Sequence, residues 1–138
     1  MEFRLPVSKE GKPLQGALDS STAIILYKAG LFEGFCREWD LVTTDTVCEE
    51  IGRGPEGNSV IRILDAYCTV EPAAGGQGLF GKGENSVLLL YERERAQIIF
   101  SDDGPFLEYC KKKNIPHYSS ILVPYILYAV EKISKDEG

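Results

Sequence analysis

Apolar residues come along this chain in short runs of two kinds. Leu14 to Leu18, Leu41-Val42-Thr43-Thr44, Tyr67 to Val70 and Ile98-Ile99-Phe100 are brief and bounded by polar or turn residues. Such runs read as strands, and Ile98-Ile99-Phe100 as one buried on both faces. Between them the apolar positions recur at helical spacing. Ser20-Ser21-Thr22 leads into Ala23 to Ala29, with Gly30 placed to end the helix. Leu31 to Trp39 carries Leu31, Phe32 and Phe35 on one face. Asp45 or Thr44 caps a helix with Val47, Glu50 and Ile51 on one side, and Asn58 or Ser59 opens one with Val60, Ile63 and Leu64 inward. Glu84 to Arg95, then Phe106-Leu107-Cys110, and finally Ile126, Leu127, Val130 and Ile133 mark three more helices. A fifth short strand is expected at His117 to Ser119, after Pro116. Strand and helix alternate, which predicts one three-layer α/β/α domain over residues 1–138 around a parallel sheet of four or five strands. Residues 1–13 form an extra arm or edge strand, and Pro72 to Gly83, with five glycines, is a loop.

Composition narrows the picture only slightly. The 138 residues are 43% hydrophobic and 26% charged, which suits a single globular domain. A net charge of −6 argues against a broad basic surface that grips nucleic acid by neutralising phosphates. It leaves room for a nucleic-acid enzyme whose metal-binding carboxylates make the balance negative. Cys36, Cys48, Cys68 and Cys110 lack zinc-ligand spacing, and His117 is the single histidine. Each cysteine lies in an apolar neighbourhood and reads as a buried, reduced thiol. The start of the chain has no basic-then-apolar leader pattern, and Ile121 to Val130 is too short to span a bilayer. A cytoplasmic protein, away from membranes, is the expectation.

Charge enters the picture at the strand ends. Asp19 follows the first strand and Asp102-Asp103 follow the fourth. Glu84 heads the helix before that fourth strand, and Glu50 directly precedes apolar Ile51 on the helix after the second. Singly, each has an ordinary reading: Asp19 and Asp103 as helix caps, Glu84 as a favourable first-turn acid, Glu50 as a solvated side chain. Parallel topology brings strand ends and the following helix starts to one edge, so together they form a candidate carboxylate cluster. Hard oxygen ligands of this kind suit Mg²⁺ or Mn²⁺, ions that support phosphodiester hydrolysis. No Ser/His/Asp order supports acyl transfer.

Four stretches in this order resemble the PIN-domain nucleases, including the VapC-type toxin ribonucleases and related single-domain proteins. They are Leu18-Asp19-Ser20-Ser21, Val47-Cys48-Glu49-Glu50-Ile51, Gly81-Lys82-Gly83-Glu84 and Ser101-Asp102-Asp103, followed by a similar turn at Lys113-Asn114-Ile115-Pro116. The resemblance runs from Leu18 to about Ile121. It implies an acidic quartet, Asp19, Glu50, Glu84 and Asp103, that is catalytic and holds divalent metal, supported by Ser21 and Ser101. Glu49 competes with Glu50. Asp102 is an additional ligand candidate where the family often has a neutral residue. The implied activity is metal-dependent hydrolysis of RNA, with Arg53, Arg93, Arg95 and Lys111 to Lys113 as candidate contacts to its backbone. A homodimer is implied too, and an antitoxin peptide at Leu31, Phe32 and Phe35 if those side chains form an exposed patch. Two departures stand out: the longer arm before Asp19 and the glycine-rich loop.

Two other readings compete. The same fold serves as a catalytically inactive binding module in one. In the other, Gly76-Gln77-Gly78-Leu79-Phe80-Gly81-Lys82-Gly83 binds a nucleotide, since it matches a phosphate-binding loop except at Gly83, where a hydroxyl residue belongs.

Overall fold

The computed structural model describes residues 15–74, 78–125, 127 and 128. The expected arm at 1–13, residues 75–77 of the glycine-rich loop, and Ile126, Val130 and Ile133 of the expected last helix lie outside the described residues. Five strands, β1 (Gly16–Leu18), β2 (Leu41–Thr44), β3 (Thr69–Glu71), β4 (Ile98–Phe100) and β5 (His117–Tyr118), form one sheet. Among the described residues the helices α1 (Ser20–Lys28), α2 (Phe32–Glu38), α3 (Asp45–Gly52), α4 (Gly57–Tyr67), α5 (Lys82–Glu92) and α6 (Gly104–Lys112) accompany them, and residues 123–125, 127 and 128 are helical too. A 3-10 turn, Ser120–Leu122, follows β5. The expected three-layer α/β/α architecture is the one observed.

All neighbouring strands pair in parallel, in the order β3-β2-β1-β4-β5. The chain therefore builds outward from β1 in one direction, then returns to the other side of β1 with β4. That reversal makes β1/β4 a topological switch point, the place where open parallel sheets leave a crevice beyond their carboxyl ends. β1, β2 and β4 are buried along their whole length, as continuous apolar runs require. Gly16 is in β1 because Phe100 of β4 takes the space beside it: a Cβ at position 16 would run into the Phe100 ring. Phe100 in turn packs edge-on to Phe35 and Trp39, with ring centroids 5.1 and 6.0 Å away.

This packing corrects one expectation. Phe32 and Phe35 are 1% and 0% exposed, and Leu31 is half-buried. The helical face of α2 is core, so Leu31, Phe32 and Phe35 offer no apolar patch for an antitoxin peptide. Other differences are at element ends. α4 starts at Gly57 and runs through Tyr67, so β3 begins two residues later than the apolar run. Among the described residues, no helix is long and apolar enough to cross a membrane.

Candidate active site

The register of the two central strands sets the site. Leu18 pairs with Phe100, so the next residues, Asp19 and Ser101, emerge side by side. Asp19 N donates to Phe100 O at 3.3 Å, and Ser101 Oγ donates to Asp19 Oδ2 at 2.5 Å. Asp19 also caps α1: its Oδ1 accepts from Thr22 N at 2.9 Å. Ser101 works twice, because its Oγ accepts from Asp103 N at 3.2 Å. Asp103 in its turn caps α6 through Phe106 N at 2.8 Å, with Pro105 in the first turn. The cap readings of Asp19 and Asp103 are therefore correct, and the same geometry brings both carboxylates to the switch point.

Glu50 and Glu84 arrive from the other side. Glu50 Oε2 accepts from Ser20 Oγ at 3.0 Å, which ties α3 to the head of α1. Gly83, in the first turn of α5, packs directly against the Glu50 carboxylate, and a Cβ there would overlap it. Glu84 is the next residue, an acid in a helix first turn. Glu49, the competing choice, is exposed.

The acids at this edge feel one another's charge. The Glu84 carboxyl is pushed above its ordinary value by burial, and by the charges of Asp19, Asp103 and Glu50, partly offset by a hydrogen bond from its own backbone. Asp19, 1% exposed, is pushed up by burial and by the Asp102 charge, against the lowering effect of Ser101 and Thr22. None of the four is paired with a cationic side chain among the described residues. A cluster of this kind is held together at neutral pH against its own repulsion.

Asp102 does something different. Its Oδ2 accepts from Thr22 Oγ1 at 2.6 Å, and its Oδ1 accepts from Ser120 N and Oγ at 3.1 and 2.9 Å. Both oxygens are engaged in clamping the 3-10 turn to α1. Ser21, expected as a support, reaches Asp19 only at 3.4 Å. Ser20, Thr22 and Ser120 make the stronger contacts and were missed: a hydroxyl-rich run carries no signal of which hydroxyl faces inward.

The cation candidates are spread. Arg53 lies three residues past Glu50, whereas Arg93 and Arg95 follow α5 at the end opposite Glu84, and Lys111 ends α6 opposite Asp103. Arg95 pairs with Glu71 at 3.8 Å, and Arg93 donates to Pro72 O at 3.4 Å. The nucleotide-loop reading meets a physical obstacle. The head of α5, where a phosphate would sit, faces the Glu50 and Glu84 carboxylates instead, and like charges there repel an anion.

The donor set is hard oxygen only, which fits Mg²⁺ or Mn²⁺ in chemistry. Glu50 Oε1 and Asp103 Oδ2 have no protein partner among the described residues. The carboxylates converge without closing: no three acid, His or Cys side chains among the described residues form a ready cage for an ion.

No protein-family model and no curated protein sequence matches this chain. Among solved structures, the PIN domain endonuclease Utp24 is similar at a TM-score of 0.60 and 17% identity, over 78% of this chain and 85% of that one. At that identity the likeness concerns the backbone. The chain has a PIN-like three-layer α/β/α fold.

Proposed function

We propose that this protein is a divalent-metal-dependent ribonuclease, with Asp19, Glu50, Glu84 and Asp103 as its acidic quartet. The observation that supports the reading is the joining of Asp19 and Asp103 through Ser101 at the β1/β4 switch point, with Glu84 near enough to feel their charges and that of Glu50. Bound there, Mg²⁺ or Mn²⁺ supplies Lewis acidity for hydrolysis of a phosphodiester. Asp19 is the fixed member, because Ser101 and Thr22 N leave its carboxylate one orientation. Asp103 is aligned by the same Ser101. Glu50 and Glu84 are the adaptable members, anchored through Ser20 and the first turn of α5. In the metal-free chain burial and the neighbouring acids raise the Glu84 carboxyl above its ordinary value, a repulsion that a bound cation would relieve. Arg53, one turn from Glu50, is the cation best placed to meet the RNA backbone. A toxin role remains part of the proposal only in a form that places an antitoxin somewhere other than the buried α2 face.

Incubation of a mixed RNA set with the protein, with and without Mn²⁺, tests this reading. Cleavage that needs Mn²⁺ and disappears in Asp19→Asn, with the melting profile otherwise intact, is the expected result. The open arrangement of the carboxylates favours one alternative, a binding module that has kept the fold without the activity. RNA retention without cleavage, unchanged in Asp19→Asn, would establish that alternative.

A further inference from the structure

We propose that Cys36 and Cys68 form a reversible dithiol–disulfide site, oxidised by a peroxide. Their sulfurs lie 3.7 Å apart across the seam between α2 and the end of α4. A disulfide needs about 2.05 Å, so closure asks for a shift of roughly 1.7 Å, within reach of side-chain rotation. The seam is already fixed beside them. Tyr67 Oη, next to Cys68, donates to Glu33 Oε1 at 3.1 Å, and Glu33 is one turn from Cys36 on α2. That hydrogen bond holds α2 and the end of α4 together beside the two sulfurs.

Burial assigns the two roles. Cys36 is 5% exposed and Cys68 is half-buried, so a small oxidant meets Cys68 first. The hydrogen bond to Cys68, burial, and the neighbouring charges push the Cys36 thiol far up, which makes it a poor first nucleophile. The chemistry then balances in two steps. The Cys68 thiolate attacks one oxygen of hydrogen peroxide, the O–O bond breaks, and the departing hydroxide takes up the thiol proton as water. Cys68 is left as a sulfenic acid. The Cys36 sulfur next forms the S–S bond as the S–O bond breaks, and the sulfenic oxygen leaves with the Cys36 proton as a second water. Two thiols are oxidised and one peroxide becomes two waters. Cys48 is the competing partner: its thiol is pushed up by burial, then by the Asp65 and Asp45 charges, and least by Cys68.

The location decides the consequence. Cys68 immediately precedes β3 and Cys36 lies shortly before β2, so the pair is at the amino edge of the sheet, away from the acids at the carboxyl edge. The bond would staple the segment containing β2, α3 and α4 without touching the quartet, and it stands whether or not the nuclease reading does. The test is to treat the whole chain with hydrogen peroxide, alkylate remaining thiols, and map peptides without reduction. Expected is an intramolecular Cys36–Cys68 peptide pair, removed by dithiothreitol, still formed in Cys48→Ser and absent in Cys68→Ser. Oxidised protein should melt on the order of 5–10 °C higher. A Cys48–Cys68 link, an intermolecular link, or sulfinic acid on Cys68 with Cys36 still alkylated would overturn the proposal. So would a linked protein that melts lower than the reduced one.

Discussion

Asp19 combines three conditions that single residues rarely meet together: it caps a helix, it is almost fully buried, and its carboxylate has no cationic partner among the described residues. Burial lifts its carboxyl above the ordinary 3.8, so the folded chain holds that proton more tightly than the unfolded chain does. The sign follows. The stability from the protonated acid is full below pH 3.8 and is lost as pH rises through the higher folded value. Metal-free protein should therefore melt at falling temperature as pH climbs through that window, and Asp19→Asn should flatten the slope. Identical slopes for the two proteins in chelator, followed by calorimetry, would show that Asp19 is ionised at no cost to the fold. Gly83 offers a second residue-scale prediction. Alanine in a helix ordinarily gains up to about 1 kcal/mol over glycine. Here a Cβ meets the free end of the Glu50 side chain, which must turn aside, so the helix gain comes with a displaced carboxylate. Gly83→Ala should keep stability within about 1 kcal/mol and weaken the response to Mn²⁺, read as the metal-induced change in melting temperature. An unchanged response would mean that the position of Glu50 does not matter to the ion.

At the scale of elements, α3 and α5 are joined by a chain of hydroxyls below the acids. Thr44 caps α3 by accepting from Val47 N at 3.0 Å, and lies 2.7 Å from Ser86 Oγ. Ser86 Oγ donates to Gly83 O at 2.7 Å, so the proton between the two hydroxyls comes from Thr44. The relay sets the spacing between the helix that carries Glu50 and the helix that carries Glu84. Ser86→Ala leaves the Thr44 hydroxyl buried without its acceptor, which should cost about 1–3 kcal/mol. Thr44→Val should cost more, because a cap worth about 1 kcal/mol goes as well. Urea unfolding of both singles and the double variant checks this: a double variant milder than the sum of the singles supports one connected chain, and strict additivity argues against it. Local patterning carries no trace of this relay: Thr44 is one of two cap candidates for α3, and Ser86 is one more position in an apolar helix.

At the scale of the whole molecule, the sheet and the acidic edge are built from the same strands, so occupancy of the edge should report on folding. An ion that binds only the folded chain stabilises it by about 2.7 kcal/mol at a hundredfold excess over its Kd. For a domain of this size that corresponds to a rise on the order of 5–10 °C in melting temperature with Mn²⁺, reversed by chelator. The shift should vanish in Asp103→Asn while the apo melting temperature changes little, since Asn is also a competent helix cap. A shift that survives unchanged in both Asp19→Asn and Asp103→Asn would place the ion elsewhere on the chain.

The sequence by itself determined the layers and their order. Apolar runs such as Ile98 to Phe100 have one stable environment, a strand covered on both faces, and helical spacing between them leaves parallel pairing as the way to cover it. It also determined that acids stand at strand and helix ends, because caps and first turns are written locally in residues such as Asp19, Asp103 and Glu84. Tertiary structure alone decided which acids meet and what the rest do. Glu50 is at the edge and Glu49 in solvent because of the way α3 lies against Ser20 and Gly83. Asp102 is a clamp rather than an open carboxylate because Ser120, eighteen residues on, folds back onto it. Phe35 is core because Phe100 of β4 comes to meet that face of α2. Each of these depends on distances between segments remote in the chain, and local patterning of hydrophobic and polar residues carries no information about them.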